Sequence, residues 1–142
     1  VIRFFKPEEE DRIIRAIKAA EKNTSGEVRV HLEVNCEGEL LEAAAKVFHR
    51  LKMDRTELRN GVLIFLVPER RQFAIIGDKG INEKVPENFW QEVRNIMQAH
   101  FREGDFAQGV CEGITRAGEK LKEFFPYQKD DKNELPDEIS YS

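Results

Sequence analysis

Three short stretches set oxygen- and nitrogen-bearing side chains beside glycines. They are Thr24-Ser25-Gly26-Glu27, Arg55-Thr56 with Arg59-Asn60-Gly61, and Gly77-Asp78-Lys79-Gly80. Between them they hold two carboxylates, Glu27 and Asp78, several hydroxyl and amide oxygens, and two arginines. Hard cations such as Ca²⁺ take several oxygen ligands, carboxylates and backbone carbonyls among them. Loops bounded by glycine can turn carbonyls or N–H groups toward a ligand. The chemical reading is a metal or anion site centred on Asp78. The plainer reading is that Thr24, Ser25, Asn60 and Asp78 are turn and cap residues. The run Asp78-Lys79-Gly80-Ile81-Asn82 is not an EF-hand loop, which needs alternating oxygen ligands and a glutamate at its twelfth position.

Other candidates are thinner. Glu27, Arg29, His31 and Glu33 fall on the polar side of an alternating segment, where His31 with Glu33 could bind a metal or move protons. An edge strand with alternating charge has the same pattern. His49 and His100 have no partner nearby in sequence. Cys36 and Cys111 are too few for a disulfide scaffold or a structural zinc site. No nucleophile elbow, Walker loop or His-Glu-x-x-His zinc motif occurs.

Whether the three stretches meet depends on the elements between them. Pro7 and the acids after it start a helix, since proline and negative charge both suit a first helical turn. Ile13, Ile14, Ile17 and Ala20 continue it at helical spacing toward Asn23. Val28, Val30, Leu32 and Val34 alternate with polar residues as a half-buried strand. A second helix is expected over residues 39–51. The run Val62-Leu63-Ile64-Phe65-Leu66-Val67 reads as a central strand buried on both faces. Residues 72–77 form its hairpin partner. Pro86 opens a third helix and Asp105 fits the N-cap of a fourth. Gly109 and Gly113 on that helix predict close backbone approach, because glycine otherwise weakens a helix.

The predicted order is α-β-α-β-β-α-α, an α/β protein built as a three-layer α/β/α sandwich around a small mixed sheet. The first strand is expected at an edge and the second in the middle. The starts of the first two strands and the end of the third then lie at one edge of the sheet. That brings Thr24, Ser25, Glu27, Arg55, Thr56, Arg59, Asn60, Gly77 and Asp78 together.

The 142 residues suit one domain. The formal charge is −4, and the last 15 residues hold five acids against two bases, which accounts for −3 of it. The expected division is a domain over residues 1–127 and an acidic, extended or disordered tail over 128–142. Its acids, Asp130, Asp131, Asp137 and Glu138 among them, could bind cations loosely, and a solvated charge run has the same composition. A nearly neutral body argues against nonspecific nucleic-acid binding. No apolar run approaches a membrane span, and the start has no signal-peptide core. The expectation is a cytoplasmic monomer without a membrane span.

The ordered set Thr24-Ser25-Gly26-Glu27-Val28-Arg29-Val30-His31, Arg59-Asn60-Gly61-Val62-Leu63-Ile64 and Gly77-Asp78-Lys79-Gly80-Ile81 resembles the TPM domain family. So do Phe89-Trp90, Phe101-Arg102-Glu103-Gly104-Asp105-Phe106 with Gly109, and Phe124-Phe125-Pro126. The acidic tail looks like a feature of the stand-alone bacterial branch. The resemblance implies a small α/β/α sandwich and a divalent-cation site, calcium first and another divalent ion otherwise. It makes Asp78 the first candidate ligand and Glu27 the second. A plant thylakoid-lumen member is linked to photosystem II repair and described as an acid phosphatase. The resemblance thus implies a second possibility, metal-assisted hydrolysis of phosphomonoesters with Arg55 or Arg59 holding the phosphate. The segment Phe4-Phe5-Lys6-Pro7 lacks the aspartates that thylakoid and membrane-attached members carry there. A third possibility is an adaptor that docks a protein partner through the tail or the polar strand.

Overall fold

Seven residues in a row, Gly61–Val67, form strand β2, and all seven are buried. A strand apolar on both faces needs cover on both faces. The computed structural model, which describes residues 4–127 and 137–142, supplies it. Strand β1 (Glu27–Leu32) runs parallel to β2, and β3 (Gln72–Gly77) returns antiparallel to it. A two-residue strand, β4 (Ser140–Tyr141), lies parallel to β1 on its other side. The sheet order is β3-β2-β1-β4.

One face carries Val28, Val30, Leu32, Val62, Ile64, Leu66 and Ile75. Helices α1 (Pro7–Glu21), α4 (Phe89–Arg102) and α5 (Phe106–Phe124) cover it with Ile13, Ile17, Val93, Met97, Val110, Ile114 and Leu121. The other face carries Leu63, Phe65, Val67 and Ala74, covered by Ala44, Val47 and Phe48 of α2 (Leu40–Arg50) and by Met53. The expected three-layer α/β/α sandwich with a mixed sheet is therefore the architecture.

Three details differ from the sequence reading. Strand β1 is not at an edge. Residues 139–142 pair with it, in the register His31 with Ser140 and Leu32 with Tyr141. Ile139 is buried beneath this strand, and the Tyr141 hydroxyl donates to Glu10 of α1. The acidic composition around this short apolar segment hid its strand signal. Asp130, Asp131 and Glu134 of the expected tail lie outside the described residues. Second, a single helical turn, α3 (Lys79–Asn82), follows β3 where only a loop was expected. Third, the helix expected to open at Pro86 begins at Phe89, and Asp105 precedes α5 without a side-chain cap bond.

The glycines of α5 mark close approach, as expected. A Cβ on Gly109 would lie 2.4 Å from the Phe101 ring, and one on Gly113 would lie 2.5 Å from the Met97 sulfur. Gly118 does the same against α1, where a Cβ would meet that of Ala20 at 2.6 Å. Gly118→Ala should therefore wedge α1 from α5 and cost about 1–3 kcal/mol, measured as a lower midpoint in urea denaturation.

Candidate functional site

The register brings the three stretches to one edge of the sheet. Glu27 pairs with Gly61, and Val62 pairs with Gly77. The Glu27 N–H donates to the Asn60 carbonyl at 3.4 Å, and the Asp78 N–H donates to the Gly61 carbonyl at 2.9 Å. Asn60 Nδ2 donates to Ser25 Oγ at 3.3 Å. Among the described residues six polar or charged side chains are buried, and five are here: Thr24, Glu27, Thr56, Asn60 and Asp78. Buried polar groups normally have hydrogen-bond partners. Asn60 Oδ1 and Thr56 Oγ1 have none among the described residues.

Local packing accounts for much of this sequence. The Thr24 hydroxyl lies against the Leu121 carbonyl at 2.9 Å and against that of Phe125, at the C-terminal end of α5, where carbonyls lack helical partners. It also accepts the Gly26 N–H at 3.1 Å. A Cβ on Gly26 would strike Leu121 at 2.5 Å. Gly77 admits the Trp90 ring, whose Nε1 donates to Asn82 Oδ1 at 2.8 Å. Gly80 passes so close to residues 58–59 that a Cβ would sit 2.1 Å from the Leu58 carbonyl oxygen.

Asp78 is bound on several sides. Its Oδ2 accepts from Arg59 Nε at 2.7 Å and its Oδ1 from Arg59 Nη2 at 3.0 Å, a two-pronged carboxylate–guanidinium pair. Its Oδ1 also accepts from the Lys79 N–H at 2.7 Å, at the start of α3. The buried carboxylate is thus neutralised by Arg59, and Arg59 is correspondingly occupied. Asp78 and Glu27 flank β2 on opposite sides, about 10 Å apart at their Cα atoms by inter-strand spacing. Arg55 is exposed on the turn formed by residues 53–55.

A second group of acids stands beside Glu27. Glu21, at the end of α1, accepts the Val28 N–H at 2.9 Å. Its carboxyl is pushed up to about 10, by burial first, then by a hydrogen bond to Asp137 and by the nearby charges of Glu27 and Asp137. Glu21, Glu27 and Asp137 line one cleft of about 360 Å³, together with Lys18, Lys22 and Ser25. Among the described residues no three acids, histidines or cysteines are already drawn in closely enough to grip a metal ion. Glu21 escapes a reading of the sequence because it looks like an ordinary last-turn residue. Asp137 is read there only as one acid of the tail.

His31 is completely buried. Its ring stacks on Phe65 with centroids 5.7 Å apart. Nδ1 contacts Ser140 Oγ at 3.0 Å, while Nε2 contacts Glu33 Oε2 at 3.0 Å and Ser142 Oγ at 2.7 Å. Burial pushes the imidazole below its ordinary value, against the pull of Glu33. His31 therefore holds β4 to β1 rather than facing solvent.

A family profile described as the TPM domain matches residues 2–120. Among curated proteins none matches. The NMR structure of BA42 protein from the psychrophilic bacterium Bizionia argentinensis is 50% identical, with a TM-score of 0.92, covering 100% of this chain and 98% of that one. The N-terminal domain of a Porphyromonas protein ("P.gingivalis") is 20% identical, with a TM-score of 0.71 over 87% of this chain and 82% of its own. An N-terminal domain from Corynebacterium glutamicum is 14% identical, with a TM-score of 0.66 over 83% and 74%. The last two show the fold alone.

Two outcomes follow from the geometry. Asp78→Ala removes the α3 cap and should cost about 0.5–2 kcal/mol, read from urea denaturation. His31 has a folded pKa below its unfolded value of about 6.5, so its stabilising effect is full above that pH and fades as pH falls through the folded value. The thermal midpoint of the wild type should therefore drop more steeply below about pH 6.5 than that of His31→Gln.

Proposed function

The chain belongs to the TPM domain family, and on that premise we propose that it binds a divalent cation, calcium first. The ligands would be Glu21, Glu27 and Asp137, in the cleft beside the start of β1. One observation carries this reading: two buried or half-buried glutamates and Asp137 share a cleft, and the Glu21 carboxyl is pushed up to about 10, by burial first and then by its hydrogen bond to Asp137 and the charges of Glu27 and Asp137. Like charges held this close are relieved either by a proton or by a cation. The donors are hard oxygens, which suit Ca²⁺ or Mg²⁺ and not a thiol- or imidazole-seeking metal. Ser25 lines the same cleft, and its hydrogen-bonded neighbour Asn60 contributes a buried oxygen without a partner among the described residues. The residual volume leaves room for water ligands, which calcium accepts in its sphere of six to eight.

Asp78 supports the site indirectly. With Arg59 balancing its charge, it ties the loop at residues 59–61 to the start of α3. A phosphate clamp at Arg59 would first have to break this pair, so the geometry favours cation binding over phosphoryl chemistry.

Calorimetric titration with CaCl₂, paired with amide NMR, tests the reading. Binding should release protons and tighten as pH rises toward 10, because the cation displaces the proton on Glu21. Glu21→Gln and Glu27→Gln should each weaken binding about tenfold or more, while Asp78→Ala changes it little. Shifts centred on residues 77–80 and abolished in Asp78→Ala would place the cation there instead. No heat and no shifts at millimolar calcium would overturn the reading.

A further inference from the structure

A second cavity lies at the opposite end of β2, where the chain leaves β2 for β3. It measures about 540 Å³ and is walled by Phe4, Phe73, Phe101 and Phe106, with Arg71 and Arg102 in its lining. That volume falls within the range of small-molecule sites, which are mostly apolar with a few polar groups. The rings already engage one another. Phe73 meets Phe101 edge-on at 4.8 Å between centroids, and Phe4 meets Phe106 at 5.2 Å. Phe4 and Phe106 remain 38% and 41% exposed, which leaves apolar surface facing water at the mouth.

Among the described residues the charge of the lining has one sign, and no carboxylate lines the cavity. Neither arginine makes a side-chain hydrogen bond or ion pair with any described residue. Both are exposed and so keep their guanidinium groups available. A guanidinium recognises a carboxylate with paired N–H donors. We propose that this groove binds a single medium-chain carboxylate, its acyl chain among the phenyl rings and its head group at Arg71 and Arg102. An acyl chain suits the walls better than a planar aromatic acid. The rings have satisfied their edge-to-face preferences with each other, and they offer the ligand dispersion and water exclusion. The groove and the acidic cleft lie at opposite ends of the sheet, so this inference stands independently of the cation reading.

The test is calorimetric titration of the full chain, free of divalent ions, with decanoate below its micelle concentration, with decanol, and with vesicles of phosphatidylglycerol. Decanoate should bind, decanol should bind about tenfold more weakly, and aromatic NMR shifts should centre on Phe101 and Phe106. The double variant Arg71→Gln/Arg102→Gln, with an unchanged thermal midpoint, should lose about tenfold in decanoate affinity. Equal affinity for decanol would reduce the groove to an apolar surface without charge selection and overturn the proposal. So would full decanoate binding by the double variant, or binding to vesicles without binding to monomeric decanoate.

Discussion

The burial of β2 on both faces organises the molecule. A strand with Val62, Ile64 and Leu66 on one side and Leu63, Phe65 and Val67 on the other has no face to offer water. Each face must receive a helical layer, so the chain needs at least one helix on each side. The parallel β1–β2 pair meets part of that demand, because joining two parallel strands requires a crossover, and here α2 provides it. The remaining three long helices gather on the opposite face, where Gly113 and Gly118 let α4 and α1 approach α5 closely.

This arrangement forces the polar chemistry outward to the sheet edges. Backbone groups at strand ends must find partners, and here they do so through Thr24, Asp78 and Asn82. Such residues can look like a binding site while serving as structural joints. The distinction lies in charge balance. Asp78 is answered by an arginine, whereas the Glu21 carboxyl, set near Glu27 and Asp137, is pushed up to about 10, by burial first.

The sequence made the layers legible because the signals are local. Helical spacing in α1 and α5, the unbroken apolar run of β2 and the turn at residues 59–61 each fall within a short window. The meeting of residues 24–27, 59–61 and 77–80 followed from strand directions alone. What escaped notice depends on distant pairing. Nothing near Ile139 distinguishes a strand of two residues from the end of an acidic tail. Strand β1 looked like an edge strand because its polar positions, His31 and Glu33, have their partners more than one hundred residues away, at Ser140 and Ser142. The same separation hid Glu21, whose chemistry appears only beside Asp137.

The parallel strand β4 has a consequence for the order of assembly. During synthesis the first three strands are complete by Gly77, while residues 139–142 follow last, shortly after α5 ends at Phe124. Until then the buried imidazole of His31 faces water and one side of β1 stays open to pairing. Closing that side brings together segments separated by most of the chain, a slow contact with a large loop entropy. A chain in which residues 139–142 have not docked would present one bare sheet margin along β1, where a neighbouring chain could insert a strand of its own.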